Sequence, residues 1–196
     1  MLYITFNVLD STKYADFQKL YEHMVTVREP GFEFEYEKLL DFDWDNMSED
    51  EINEAVIKLS NFGDNSLAEL ERYQELIPDY ANTFLEHSHR FGNSKSAPLS
   101  DDNARSILNY LEYDFEVDMD NLELRNEQVG IIEYSTGNFP FGGIDRFLII
   151  LKAFELIPTE CFNGFDVCEL SWNTDVDFDS IPLPDKTKDY VARFKR

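Results

Sequence analysis

The stretch from Ile144 to Leu156 constrains this chain more than any other. Ile144, Phe147, Leu148, Leu151 and Phe154 recur at helical spacing, and Ile149 and Ile150 fill the stripe beside them, so the helix has almost no face to offer water. Such a helix has to be enclosed by other elements, and it is expected to be the most buried one in the fold. The chain has the bulk to enclose it. Of its 196 residues 43% are hydrophobic, with 17 Phe and 10 Tyr, and a chain of this length buries roughly 70% of its unfolded surface. One domain over residues 1–196 is expected. The longest unbroken run of aliphatic and aromatic residues, Phe147 to Leu151, is far short of the ~20 residues that span a bilayer. The stretch from Met1 to Asp10 has no basic start and is broken by Asn7 and Asp10, so it does not read as a secretory signal.

Around the buried helix the periodicity alternates between strand and helix. Leu2 to Val8 reads as a strand. Asp10 and Ser11 are cap candidates for a helix carrying Tyr14, Phe17, Leu20, Tyr21 and Met24, which Pro30-Gly31 should end. Ser48 and Glu51 form a capping box ahead of Ile52, Ala55, Val56 and Leu59. Ser66 and Glu69 repeat that signature before Leu67, Leu70, Tyr73 and Ile77, and Pro78 should break this helix from a second piece carrying Tyr80, Phe84 and Phe91. Residues 93–100 read as an ordinary surface loop, followed by a helix with Ala104, Ile107, Leu108 and Leu111 on one face. Val129 to Tyr134 reads as another strand. The expected architecture is α+β, a single domain with a partly antiparallel sheet packed against four to six helices.

The two cysteines, Cys161 and Cys168, flank Asn163-Gly164, a strong signal for a two-residue hairpin turn. That register would pair Phe162 with Phe165 and Cys161 with Asp166. The two sulfurs would then lie diagonally, with Cα atoms roughly 7–8 Å apart, beyond ordinary disulfide geometry. Free structural thiols are expected.

Charge narrows the functional classes. Forty Asp and Glu against 17 Lys and Arg give a formal charge of -23, which opposes direct binding to nucleic acid or to an anionic membrane and suits a basic partner. Four segments alternate acid with apolar: Glu33/Glu35/Glu37, Asp41/Asp43/Asp45, Asp114/Glu116/Asp118/Asp120 and Asp175/Asp177/Asp179. In the first, Phe32, Phe34 and Tyr36 would face inward from a strand; in the third, Phe115, Val117 and Met119 would do so. Adjacent acidic strands would stack like charges at up to about 1 kcal/mol per pair, a cost that a docking face for a basic protein would explain. The other explanation is a solvated face that serves solubility. Trp44 and Phe42 sit among the acids as a binding hot spot would, unless alternation turns both rings into the core. Asp41, Asp43 and Asp45 match the first positions of an EF-hand loop, but Asn46 replaces its glycine and Ile52 its bidentate glutamate, so no metal is expected.

Catalytic patterns are weak. There is no acid-x-Lys triplet, no Gly-x-Ser-x-Gly elbow, no Walker loop and no Cys-x-x-Cys pair. His87 and His89 lie two apart near a helix end and do not share a face, and His87 falls on the stripe of Phe84 and Phe91. Three of the eight glycines fall between Gly137 and Gly143 ahead of the buried helix, but Asp145 already occupies the positive helix end that an anion would use. At the other extreme, residues 186–196 carry a net +4, leaving -27 for the rest; this tail should fold back onto the acidic sheet, or form a helix docking Tyr190, Val191 and Phe194. The expectation is a cytoplasmic protein of bacterial type, without cofactor, that occludes a basic protein as an immunity protein blocks a nuclease toxin or as a nucleic-acid mimic does. The partner-binding residues would be the acids of the four segments and Trp44. The alternatives are a small enzyme with its site near the loop from Gly137 to Asp145, or a structural subunit of a larger assembly.

Overall fold

A computed structural model describes residues 1–34, 42–62, 66–86, 99–137 and 143–193. Its centre is a six-stranded antiparallel sheet in the order β2-β3-β1-β4-β5-β6. The strands are β1 (Leu2–Val8), β2 (Asp118–Asn126), β3 (Val129–Ser135), β4 (Leu156–Phe162), β5 (Val167–Trp172) and β6 (Phe178–Pro182). The helices among the described residues are α1 (Ser11–Thr26), α2 (Glu49–Phe62), α3 (Ser66–Leu76), α4 (Asp79–Glu86), α5 (Asp101–Asn109), α6 (Asp145–Ala153) and α7 (Pro184–Arg193). The α+β class is as expected; every described strand pairing is antiparallel, Pro78 separates α3 from α4, and with the tail forming α7 the helices among the described residues number seven.

The inner face of the sheet carries Ile4 and Phe6 of β1, Ile132 and Tyr134 of β3 and Cys161 of β4, all buried. Against it lies α6, with Phe147 to Leu151 and Ala153 buried, as its apolar circumference requires. Phe147 joins Phe17 of α1 at 6.3 Å and Phe115 at 4.7 Å, and Phe115 joins Tyr134 of the sheet at 5.7 Å. These rings lock helices to sheet through apolar area and edge or stacked contacts. Phe6 lies across Gly130 on the neighbouring strand, where a Cβ would come within 2.3 Å of the ring; only glycine fits there. The helix ends three residues short of its expected end at Leu156. Glu155, at φ 57, turns the chain directly into β4 with Leu156 as its first buried residue.

The outer face carries Tyr3, Glu133, Glu160 and Phe162, and α7 lies across part of it. Tyr190 packs on Tyr3 at 5.1 Å and on Phe162 at 4.8 Å, and its hydroxyl donates to the Met1 carbonyl. Lys186 of α7 reaches the Glu160 carboxylate at 2.5 Å. The basic tail thus folds onto the sheet and docks through Tyr190 at once.

Local signals hold at most helix starts. Asp10 accepts from the Thr12 amide at 2.8 Å, and the Ser48 amide donates to Glu51 at 2.7 Å while Ser48 Oγ accepts from the Glu51 amide at 3.4 Å. Three readings change. Phe32 to Phe34 is not a strand; its two rings meet edge to face at 4.8 Å, and Phe34 faces His23 and Arg72 instead of a sheet. Residues 35–37 of that proposed strand, His87, His89 and Phe91 lie outside the described residues, as does Phe194. Asp114 to Val117 keeps the predicted alternation of exposed acid and buried apolar residue, but strand pairing starts only at Asp118. The hairpin register also differs: Cys161 pairs directly with Cys168 and Phe162 with Val167, across a four-residue loop. Asn163 causes this, since its side chain accepts from the amides of Phe165 and Asp166 at 3.0 and 2.9 Å and widens the turn. The thiols are free and buried, although not for want of a facing partner. Burial, then the neighbouring Cys168, pushes the Cys161 thiol up to about 12, so both chemistry and access keep it unreactive.

Candidate functional site

Among the described residues, the acids of the β2 edge and of the β5–β6 turn do not share one face. β2 and β6 form opposite edges of the sheet, five strand spacings or roughly 24 Å apart. Asp114, Glu116, Asp118 and Asp120 are exposed at the β2 edge, where Asp118 starts the ladder opposite Ser135 and Asp120 accepts from the Ser135 hydroxyl. Asp175, Asp177 and Asp179 belong to the β5–β6 turn and β6. Asp175 is exposed and lies 3.7 Å from Lys152, Asp179 accepts from Asn173, and Asp177 is half-buried as the turn closes through its backbone. No like-charge ladder links these two groups.

The third group sits elsewhere. Residues Trp44–Asn46 form a single 3-10 turn two residues before the acid-rich start of α2, where Glu49, Asp50 and Glu51 fill the first turn. Asp43 is exposed and accepts from the Asn46 amide at 2.7 Å, which fixes the turn. The Trp44 ring is 43% exposed and leans on the half-buried Phe42 at 5.2 Å, so Trp44 stands at the surface. Farther along α2, Val56 and Ile57 are also exposed. Asp45 belongs to this turn. Glu33 is exposed in the segment after α1, while Glu35, Glu37 and Asp41 lie outside the described residues.

Two clusters of charged side chains lie outside the sequence pattern. The first is Glu112, whose side chain is wholly buried. It lies in a π-helical turn, Tyr110–Asp114, that continues α5. Its carboxylate accepts from His23 Nε2 at 2.7 Å, from Arg72 Nε at 2.7 Å and from the second Arg72 arm at 2.9 Å, and so joins α1, α3 and the π turn. Phe34 covers the guanidinium at 4.0 Å. Burial alone would raise the Glu112 carboxyl, but the His23 and Arg72 hydrogen bonds and the Arg72 charge outweigh it and hold the group below its ordinary range. Next to it, Arg28 donates to the carbonyls of Met24, Leu111, Phe115 and Val117, satisfying the backbone that the π turn leaves open. With the imidazole and the guanidinium both on one carboxylate, the cluster braces three elements. One signal in the sequence marked it: Glu112 stands four residues after Leu108, on the apolar stripe of α5.

The second cluster is on the outer face. Glu160 and Glu169 are direct cross-strand neighbours, and Glu160 takes both the Tyr3 hydroxyl at 2.8 Å and Lys186. The misread hairpin register hid this pair, since it would have set Glu160 opposite Val167.

The glycine loop offers little chemistry. Tyr110 donates to the Gly143 carbonyl at 2.9 Å, Asp145 opens α6, and residues 138–142 lie outside the described residues. Among the described residues no group of three or more His, Cys, Asp or Glu is placed to hold a metal ion, and no helix is long and apolar enough to cross a membrane. Comparison with protein-family models, with curated proteins and with solved structures finds no match.

Proposed function

We propose that this chain is an acidic binding protein that occludes a basic protein partner, acting in the cytoplasm in the manner of an immunity protein against a nucleic-acid-cleaving toxin of bacterial type or of a nucleic-acid mimic. The observation that carries the reading is the exposed Trp44 ring, set between Asp43 and the acidic first turn of α2. A large ring in water flanked by carboxylates has the anatomy of an interface hot spot, in which an aromatic anchor buries area while charges guide encounter and select the partner. The charge of -23 supplies the long-range attraction. The separation of β2 from β6 divides the candidate surface, so a partner of ordinary size need not engage every acidic segment.

The test is salt-dependent affinity for a basic protein recovered from the native host, measured with Asp43→Lys, Trp44→Ala and Asp177→Lys. Loss in the first two with Asp177→Lys unchanged is the expected result and locates the partner at the Trp44 turn. Loss in Asp177→Lys alone moves it to the β6 edge. Unchanged affinity in all three overturns the acidic-surface mechanism.

A further inference from the structure

A cavity of about 310 Å³ lies between the outer face of the sheet and α7, large enough for a small metabolite. Thr5 and Ile131 line it from β1 and β3, and the Tyr3–Tyr190 ring pair forms one wall. Its charges fall into two sets. Glu160 and Lys186 neutralise each other at 2.5 Å, with the Tyr3 hydroxyl as a further partner. The rest do not meet. Among the described residues the Glu133 carboxylate takes the Asn121 amide at 3.1 Å and no cation, and the side chains of Arg125 and Arg193 make no ion pair although they open onto the same space. Asp189 also lines the cavity, one helical turn before Arg193.

Strand register explains why these charges stay apart. Arg125 lies between the pairs Leu124↔Gly130 and Asn126↔Val129, whereas Glu133 is about 11 Å farther along β3. Arg193 closes the groove from the C-terminal end of α7. Both signs act on one hydroxyl between them: burial first and then Glu133 push the Tyr190 phenol up, and Arg193 pulls it down. A half-buried carboxylate and two exposed guanidiniums that open onto one cavity without an ion pair among the described residues are complementary to a molecule that carries both charges.

We propose that this cavity binds a small zwitterion of the α-amino-acid class, its ammonium against Glu133 and its carboxylate against Arg125 and Arg193, with its side chain along the Tyr3–Tyr190 wall. This site is independent of the protein-binding surface at Trp44.

The experiment titrates the full chain with L-phenylalanine and L-arginine, followed by amide chemical shifts or calorimetry. The analogues N-acetyl-L-phenylalanine, which lacks the ammonium, and L-phenylalaninamide, which lacks the carboxylate, complete the set. Saturable binding of one or both amino acids is expected, in the millimolar range or tighter. Each analogue should bind roughly tenfold more weakly or worse, as should Glu133→Gln and Arg125→Ala, because each loses a charge-assisted hydrogen bond. Arg125 is exposed and Glu133 half-buried, so both variants should keep the wild-type circular dichroism; Arg193→Ala, at the end of α7, provides a third. Lys188→Ala, on the side of α7 away from the cavity, should leave binding unchanged. Absence of saturable binding by either amino acid overturns the proposal, and so does binding that survives in the analogues or in Glu133→Gln and Arg125→Ala.

Discussion

Glu112 and Asp114 stand two residues apart in one π-helical turn and meet opposite fates. Glu112 is buried, holds three charge-assisted hydrogen bonds from His23 and Arg72, and ties α1 to α3. Asp114 is exposed and opens the acidic run that continues through Glu116 to Asp118. Between these extremes stands Glu160, partly covered and paired to the exposed Lys186. A chain with 40 acids therefore uses carboxylates in two ways. A buried carboxylate is tolerated only with its charge and lone pairs satisfied, and it then organises whatever supplies the partners. An exposed one contributes to the field around the protein and little to its stability.

The largest effect should come from removing the buried charge. Glu112→Gln removes the buried carboxylate charge that the Arg72 guanidinium meets and should cost about 3 kcal/mol, as the breaking of buried pairs does; chemical denaturation measures it, and a loss no larger than that of a surface variant would erase the distinction. The same residue should make the wild type acid-sensitive. Because the folded state holds Glu112 below its ordinary range, its contribution is fully present above the pKa of the unfolded chain and is lost as pH falls through the lower folded value. Thermal unfolding between neutral and acid pH should show a steeper decline for the wild type than for Glu112→Gln. A smaller effect belongs to Lys186→Ala, about 0.5 kcal/mol in the same denaturation assay, because Lys186 is 64% exposed and its attraction to Glu160 is screened. Smallest of all, Asp114→Asn and Asp118→Asn should each change stability by no more than about 0.5 kcal/mol, and a clear loss in either would reveal a structural role for the β2 edge.

Parts of this arrangement were legible in the chain. The helix from Asp145 to Ala153 was visible because a stretch apolar on every side has one place to go, and the Ser48/Glu51 box because a cap is made by residues three apart. Phe32 to Phe34 do not form a strand because alternation shows which residues want burial without showing what will cover them; Phe34 found His23 and Arg72 instead of a sheet. The hairpin register failed by a local competition, in which the Asn163 side chain captured two amides and made a longer loop than Asn-Gly implies. Of the candidate site, Trp44 was named with two orientations open, and its exposure follows from packing with Phe42, which periodicity does not settle. The outer-face acids were missed because their proximity depends on that same register.

What the sequence determined by itself is the part set by composition and by contacts within a few residues: an α+β chain with a helix that must be central, helix starts at Asp10 and Ser48, thiols kept in the core, and a strongly negative net charge. What only the tertiary structure decided is which charges meet. Strand order sent the acids of β2 and β6 to opposite edges, and the packing of α1, α3 and the π turn brought His23 and Arg72 to Glu112 across separations of 89 and 40 residues. The reason is physical: local hydrogen bonds and apolar periodicity are written in short stretches of chain, whereas the energy of a charge depends on its distance from other charges and from water, which only the folded arrangement sets.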